Sequence, residues 1–232
     1  MSETIEPGVL YVVSTPIGNL DDITLRAIKI LGGIDFVAAE DTRKTRFLLS
    51  HLSITKPLLS YYSYNESRRI PELIERLREG KSVALVTDAG TPGISDPAYA
   101  LIKSALDSGI QVIPVPGASA VLPALVVSGL PTDRFVFEGF LPVKKGRKTK
   151  FEQLRAEERT IVMYESPFRI VKTVEDVLEY FGDRRIAVVR ELTKKFEEVV
   201  RGNASEVLVE LRKKVPRGEY VLVVEGNTSP KR

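Results

Sequence analysis

Apolar and polar positions follow two rhythms along this chain. The runs VLYVVS (9–14), DFVAAE (35–40), SVALVTD (82–88) and IQVIPV (110–115) are short, β-branched and nearly continuous. They predict strands buried on both faces, as in a parallel sheet. Between them, ITLRAIKIL (23–31) and RRIPELIERLREG (68–80) carry apolar residues at helical spacing, with Ile70, Leu73, Ile74 and Leu77 on one face and Gly80 at the stop. The stretch 95–109 predicts a further helix, with Asp96 as N-cap, Pro97 at the first helical position and Gly109 closing the end.

A second series follows. Strands are predicted at 134–140, 160–166, 184–193, 196–202 and 218–226. A basic stretch leads into a helix from FEQLRAEE, and a longer helix over 166–182 is predicted to start at Ser166 and Pro167, with Val171, Val174, Leu178 and Phe181 on one face. Asn203 with Glu206 three residues on reads as a capping box for a short helix over 203–212. Strand–helix alternation in the first half and more strands per helix in the second predict an α/β protein of two lobes, 1–116 and 117–232. The proline- and glycine-rich PVPGASA (114–120) forms the join, and the strand ends between such lobes are where a ligand is expected.

Composition narrows the chemistry. The 232 residues are 43% hydrophobic and 28% charged, as in ordinary soluble globular chains. No apolar run approaches the ~18 residues of a membrane span. The N-terminal MSETIEPG carries acids and no apolar core, so no leader is expected. Cysteine is absent, which excludes disulfides, thiol catalysis and Cys-ligated metals and fits a cytoplasmic location. No metal site is expected. The net charge of +3 is mild, but Lys144, Lys145, Arg147, Lys148 and Lys150 crowd one short stretch. That stretch is either a solvated linker or an arm for RNA phosphates.

The loop in VVSTPIGNLDD (12–22) has the turn residues of a ligand loop but one glycine, and no Lys or Arg before Arg26. Neither G-x-G-x-x-G nor G-x-x-x-x-G-K-[ST] occurs there, so a phosphate cradle is excluded. TDAGTPGISDP (87–97) offers an irregular backbone flanked by Asp88 and Asp96, which disfavour a polyanion. PGASA (116–120) adds a third loop of small residues at a strand end.

The ordered motifs GVLYVVSTPIGNLDDITLRAIKIL, AAEDTRKT, LVTDAGTPGISDPAY, VPGASAVLPALVVSGLP, FVFEGFLP, MYESPFR and RELTKKFEEVVRG span roughly residues 8–226. Together they resemble the small-subunit ribosomal RNA 2′-O-methyltransferase branch of the tetrapyrrole methylase family. That resemblance implies a two-lobed class III methyltransferase fold with S-adenosylmethionine in the inter-lobe cleft, and a homodimer. It also implies methyl transfer to the ribose 2′-hydroxyl of a decoding-region cytidine in 16S rRNA of the small ribosomal subunit. By the same resemblance Pro16 belongs to the first cofactor loop, and Asp88, Ala89, Gly90 and Ile94 line the methionine end. Ser119 and Ala120 contact the cofactor from the third loop, and Tyr164, Glu165 and Leu192 sit near the adenosine. Loops rich in Gly, Ala, Ser and Asp and poor in Lys suit a sulfonium better than they suit ATP.

A ribose hydroxyl is a poor nucleophile, so a base or a neighbouring cation should help. The candidates are Glu40, Asp41 and Arg43 in AEDTR, Glu165 and Arg169 in YESPFR, and Glu191, Lys194 and Glu197 in RELTKKFEE. Each has a plainer reading: Arg43 on a helix surface, Arg169 paired with an acid, Glu197 on a solvated edge. Lys144, Lys145, Arg147 and Lys148 are the candidate RNA contacts. Relatives of this branch carry histidines in the segment that here reads SYYSYNES (60–67), and at the position of Phe168. The one histidine of this chain, His51, stands elsewhere and reads as structural. Tyr61, Tyr62 and Tyr64 either stack on an extruded base or fill the core. Two rivals remain: a tetrapyrrole C-methyltransferase on the same fold, and a non-catalytic RNA-binding factor. Longer relatives are expected to carry a small extra C-terminal domain beyond the point matching VVEGNTSPKR, and that domain is not expected in this sequence.

Overall fold

The computed structural model describes residues 5–227, so the start of MSETIEPG and the end of GNTSPKR lie outside the described residues. The chain divides between Ser119 and Ala120 into two units.

The first unit is built on five parallel strands in the order β3-β2-β4-β1-β5. These are β1 (Leu10–Val13), β2 (Phe36–Ala39), β3 (Leu58–Ser60), β4 (Val83–Val86) and β5 (Val112–Val115). Successive side chains on a strand point to opposite faces, and both faces are covered. Tyr11 and Val13 lie with Ala27, Ile30 and Leu31 of α1 (Leu25–Gly33) and Leu49 of α2 (Thr42–His51). Leu10 lies with Leu73 and Leu77 of α3 (Glu66–Arg78) and Leu101 and Ala105 of α4 (Ala98–Asp107). Because every strand runs the same way, the loops that follow all five gather at one edge of the sheet.

Local details depart from the sequence pattern in places. Strand β3 was not predicted, since it has three half-buried residues squeezed between Pro57 and Tyr61. Pro97, and not Asp96, is the cap residue of α4. The Asp96 carboxylate nevertheless does the capping, accepting from the amides of Gly93 (2.8 Å) and Ala98 (3.0 Å).

The second unit opens with α5 (Val121–Ser128) and holds a mixed sheet in the order β6-β7-β10-β8-β9. Its strands are β6 (Phe135–Phe140), β7 (Thr160–Glu165), β8 (Arg185–Arg190), β9 (Glu198–Asn203) and β10 (Tyr220–Val224). The β6–β7 pair is parallel and the other pairs are antiparallel. Helices α6 (Arg147–Leu154), α7 (Ile170–Phe181) and α8 (Ala204–Arg212) bury Phe151, Val174, Val177, Val207 and Leu208 with Met163 and Leu222. The capping box at Asn203 and Glu206 is present. Helix α5 escaped the pattern because VLPALVVS is apolar all round and carries no helical period. The predicted start of α7 at Ser166 is corrected to Ile170, with Ser166–Arg169 forming a turn. The Ser166 amide donates to the Glu165 carboxylate at 2.7 Å, and the Ser166 carbonyl accepts from the amides of Arg169 (3.1 Å) and Ile170 (3.0 Å). Helix α6 likewise starts at Arg147, four residues earlier than its apolar positions indicate.

Candidate active site

In the first unit the loops after β1, β4 and β5 are knitted together. Thr15 and Gly90 exchange both backbone hydrogen bonds, each at 2.9 Å. The hydroxyls of Ser14 and Thr91 lie 2.9 Å apart, and Thr91 also donates to the Ala118 carbonyl. Gly90 has φ +84°, a conformation that only glycine adopts cheaply. At Gly117 a Cβ would lie 2.9 Å from that of Ser14, so the third loop approaches the first as closely as glycine permits. Pro16, Asp88, Ala89, Gly90, Ile94 and Ser119 thus all belong to the loops at this edge, with Ile94 half exposed.

The acids here are held in place. Glu40, at the end of β2, accepts from the Thr87 hydroxyl (2.7 Å) and from the Asp88 amide (3.3 Å). Asp88 accepts from the Asp41 amide (3.0 Å) and from the Lys44 ammonium (2.6 Å). That bond raises the Lys44 pKa and keeps it charged. Arg43 forks onto Asp41 and otherwise stands in solvent, and its hydrogen bonds hold the Asp41 carboxyl well below the usual range. Burial pushes Asp96 upward, against its bonds from the Gly93 and Ala98 amides. A cavity of about 380 Å³ opens beside Pro16, Leu20, Phe47, Leu48 and Asp88. Tyr61 fills the core, with its hydroxyl on the Pro97 carbonyl (3.0 Å), while Tyr62 and Tyr64 are exposed and meet edge to face.

In the second unit Ala120 precedes α5, and Tyr164 meets Phe137 edge to face at 4.9 Å and Phe140 at 5.6 Å. Leu192 is buried between Glu191 (φ +51°) and Thr193 (φ +66°), left-handed positions that cost a non-glycine residue about 1 kcal/mol or more each. Lys194 donates to Glu191 (2.9 Å) and Glu219 (2.8 Å). Burial pulls the Lys194 pKa down, but the two acids outweigh it and leave the pKa raised, so Lys194 is an ammonium and not a base.

Glu165 and Arg169 correct the expectation of acid–base roles. The Glu165 carboxylate is 2% exposed and accepts four bonds: Ser166 amide, Arg169 Nε, Arg169 Nη2 and the Thr173 hydroxyl, all within 2.9 Å. A carboxylate has about four lone-pair sites, so no acceptor is left for a substrate proton. Arg169 spends its remaining reach on the Leu141 carbonyl. Arg147 is corrected similarly. It points inward onto Asp176 (2.7 Å), Thr173 (2.9 Å) and the Pro142 carbonyl, with its guanidinium over the Phe151 ring. Lys144, Lys145 and Lys148 of the basic run are exposed. Glu165 ends β7, Arg169 caps α7, and Thr173 and Asp176 lie one turn apart on that helix, so the network joins a strand, a turn and a helix and shows no single period in the sequence. Thr87, Thr15 and Lys44 were also missed, since single polar residues at strand ends carry no period. Among the described residues, no group of three or more His, Cys, Asp or Glu is placed to hold a metal ion. No helix among them is long and apolar enough to cross a membrane.

Solved structures share this architecture. Uroporphyrin-III-C-methyltransferase from Thermus thermophilus aligns with a TM-score of 0.66 at 22% identity, covering 94% of each chain. A cobalt precorrin-4 methyltransferase reaches 0.66 at 21%, covering 94% of this chain and 95% of its own. At such identities the likeness shows the fold alone, an α/β architecture of two units. Residues 9–208 match the family described as Tetrapyrrole (Corrin/Porphyrin) Methylases, and the chain belongs to that family. Two relatives named Ribosomal RNA small subunit methyltransferase I are each 48% identical. One, from Halalkalibacterium halodurans, aligns over 223 residues, 96% of this chain and 77% of its own. The other, from Thermotoga maritima, aligns over 219 residues, 94% of this chain and 99% of its own.

Proposed function

We propose that this methyltransferase uses S-adenosylmethionine to methylate the 2′-hydroxyl of a decoding-region cytidine in 16S rRNA of the small ribosomal subunit, as a cytoplasmic homodimer. The observation that carries the reading is 48% identity, along nearly the whole chain, to relatives named for methylation of small-subunit ribosomal RNA. The tetrapyrrole enzymes share the fold at less than half that identity.

The first unit's edge fits such a donor in its chemistry. Thr15, Pro16, Ala89, Gly90, Ala118 and Ser119 are small and uncharged, and Gly90 and Gly117 allow close backbone approach. A carboxylate finds amides there, and the charge of Lys44 is balanced by Asp88, so that pair sets no net positive charge against a sulfonium. Bound S-adenosylmethionine supplies a methyl group already activated for displacement. The chain then has to align the ribose oxygen with it, which positioning alone supports strongly.

Of the carboxylates named from sequence, Glu40 keeps acceptor capacity at the loop edge, with two of its roughly four lone-pair sites used by Thr87 and Asp88. Glu40 therefore takes the hydroxyl proton as the carbon–oxygen bond forms. The test is transfer of labelled methyl from S-adenosylmethionine to purified small subunits, with uroporphyrinogen in parallel. Label on the subunit RNA supports the reading. Label on the tetrapyrrole, or on neither, overturns it.

A further inference from the structure

The exposed face of α2 is unusual for a helix beside a candidate active site. Its ten residues include Arg43, Lys44 and Arg46 and no acid. Arg43 and Lys44 expose 86% and 62% of their side chains, and Arg46 is exposed as well. Between them stands Phe47, 67% exposed, a large apolar ring in water where a lysine would serve solubility better.

Phe47 is also one wall of the 380 Å³ cavity, within the range of about 300–1,000 Å³ typical of small-ligand sites. Its other apolar walls are Pro16, Leu20 and Leu48, and its polar lining includes Arg43 together with Lys44 paired with Asp88, which leaves the charge balance positive. An apolar slot with one aromatic wall and a cationic rim is the chemistry of a nucleotide: the ring takes the base and the cations take the flanking phosphates. The existing partners do not forbid this. Arg43 pairs with Asp41 at the surface, and exposed ion pairs hold so weakly that a phosphate can replace the carboxylate. Pro16 and Asp88 belong both to this cavity and to the loops proposed to hold the methyl donor, so a nucleotide here lies against that site.

We infer that the α2 face and its cavity seat a single-stranded nucleotide of the RNA substrate, with Phe47 stacking on a base and Arg46 and Arg43 contacting its phosphates. This rests on the proposed RNA methyl transfer and assigns it a substrate subsite. The test uses the full chain with Phe47→Ala, Phe47→Trp and Arg46→Gln. Steady-state transfer to small subunits is measured together with calorimetric titration of S-adenosylmethionine and sedimentation velocity.

Phe47→Ala is expected to raise the KM for subunits about 5- to 150-fold, the range found when a stacking aromatic is truncated. Donor affinity and kcat stay unchanged, and Phe47→Trp restores KM. Arg46→Gln is expected to lower the salt slope of RNA binding by about 0.7, one single-strand phosphate contact. An unchanged KM, a weakened donor affinity or an altered oligomeric state in Phe47→Ala overturns the inference. Each of those requires an active wild-type protein. Failure of the wild type itself to methylate subunits refutes the proposed reaction instead, and the Arg46→Gln salt slope then still decides the subsite.

Discussion

Replacing Glu165 by glutamine separates a buried structural clamp from a catalytic base. The native carboxylate accepts four hydrogen bonds, two of them from the Arg169 guanidinium at 2.7 and 2.9 Å. An amide keeps one acceptor oxygen and turns an NH2 group toward a donor, so at least one charge-assisted bond is lost and replaced by a donor–donor contact. Each hydrogen bond to a charged group contributes about 1.5–3 kcal/mol, and breaking a buried ion pair from one side costs about 3–5 kcal/mol. Arg169 retains 21% exposure and recovers some hydration, which places the loss near 2–4 kcal/mol. For a chain of this length that is a fall of about 5–15 °C in thermal midpoint, read by circular dichroism without ligand. Methyl transfer, assayed well below the variant's midpoint, should stay within a few-fold of wild type. A midpoint within about 2 °C of wild type with activity down about 100-fold or more, the least a general base contributes, would refute the clamp.

Burial pushes the Tyr61 phenol up to about 12 from an unfolded value of 10.0. The unfolded state loses its proton first, so the neutral phenol's contribution is complete below pH 10 and is lost as pH rises toward 12. Tyr61→Phe should therefore cost about 1 kcal/mol near neutrality, from the lost bond to the Pro97 carbonyl, and flatten the alkaline stability slope. Urea titrations at pH 7 and at pH 11 check both signs, and an unchanged slope counts against the assignment. Converting Lys144, Lys145 and Lys148 together to glutamine should lower the salt slope of RNA binding by about 2 without moving the thermal midpoint. Arg147→Ala should instead lower the midpoint, because that side chain faces Asp176. A triple variant with an unaltered salt slope would remove the basic run from the RNA interface. Gly90→Ala should cost about 1 kcal/mol of stability, because its Cβ has room at 3.5 Å from Ile17 while its φ of +84° does not suit alanine. Its donor affinity should also fall, and an unchanged calorimetric Kd would detach this loop from the cofactor.

What could be read in advance followed physical signal strength. The continuous β-branched runs of β1, β2 and β4 announced strands because both faces are buried. The box at Asn203 and Glu206 announced a helix because two side chains must meet there. Helix α5 gave no period, and β3 was too short to show one. The site was legible as loops, since glycine, proline and small residues cluster where backbones turn at strand ends. Roles were less legible than positions. Glu165 and Arg169 looked like catalysts because they are charged and stand near a strand end. Only their partners reveal that Glu165 is saturated and that Arg147 and Asp176 continue the same network. The basic run looked uniform, yet folding divides it into one inward arginine and exposed lysines.

The most direct measurement is mass-spectrometric mapping of methylated nucleosides in 16S rRNA after incubating unmodified small subunits with this protein and isotopically labelled S-adenosylmethionine. A single labelled 2′-O-methylcytidine in the decoding region is expected. Label on a base, label spread over many sites, or none in the RNA would contradict the proposed reaction.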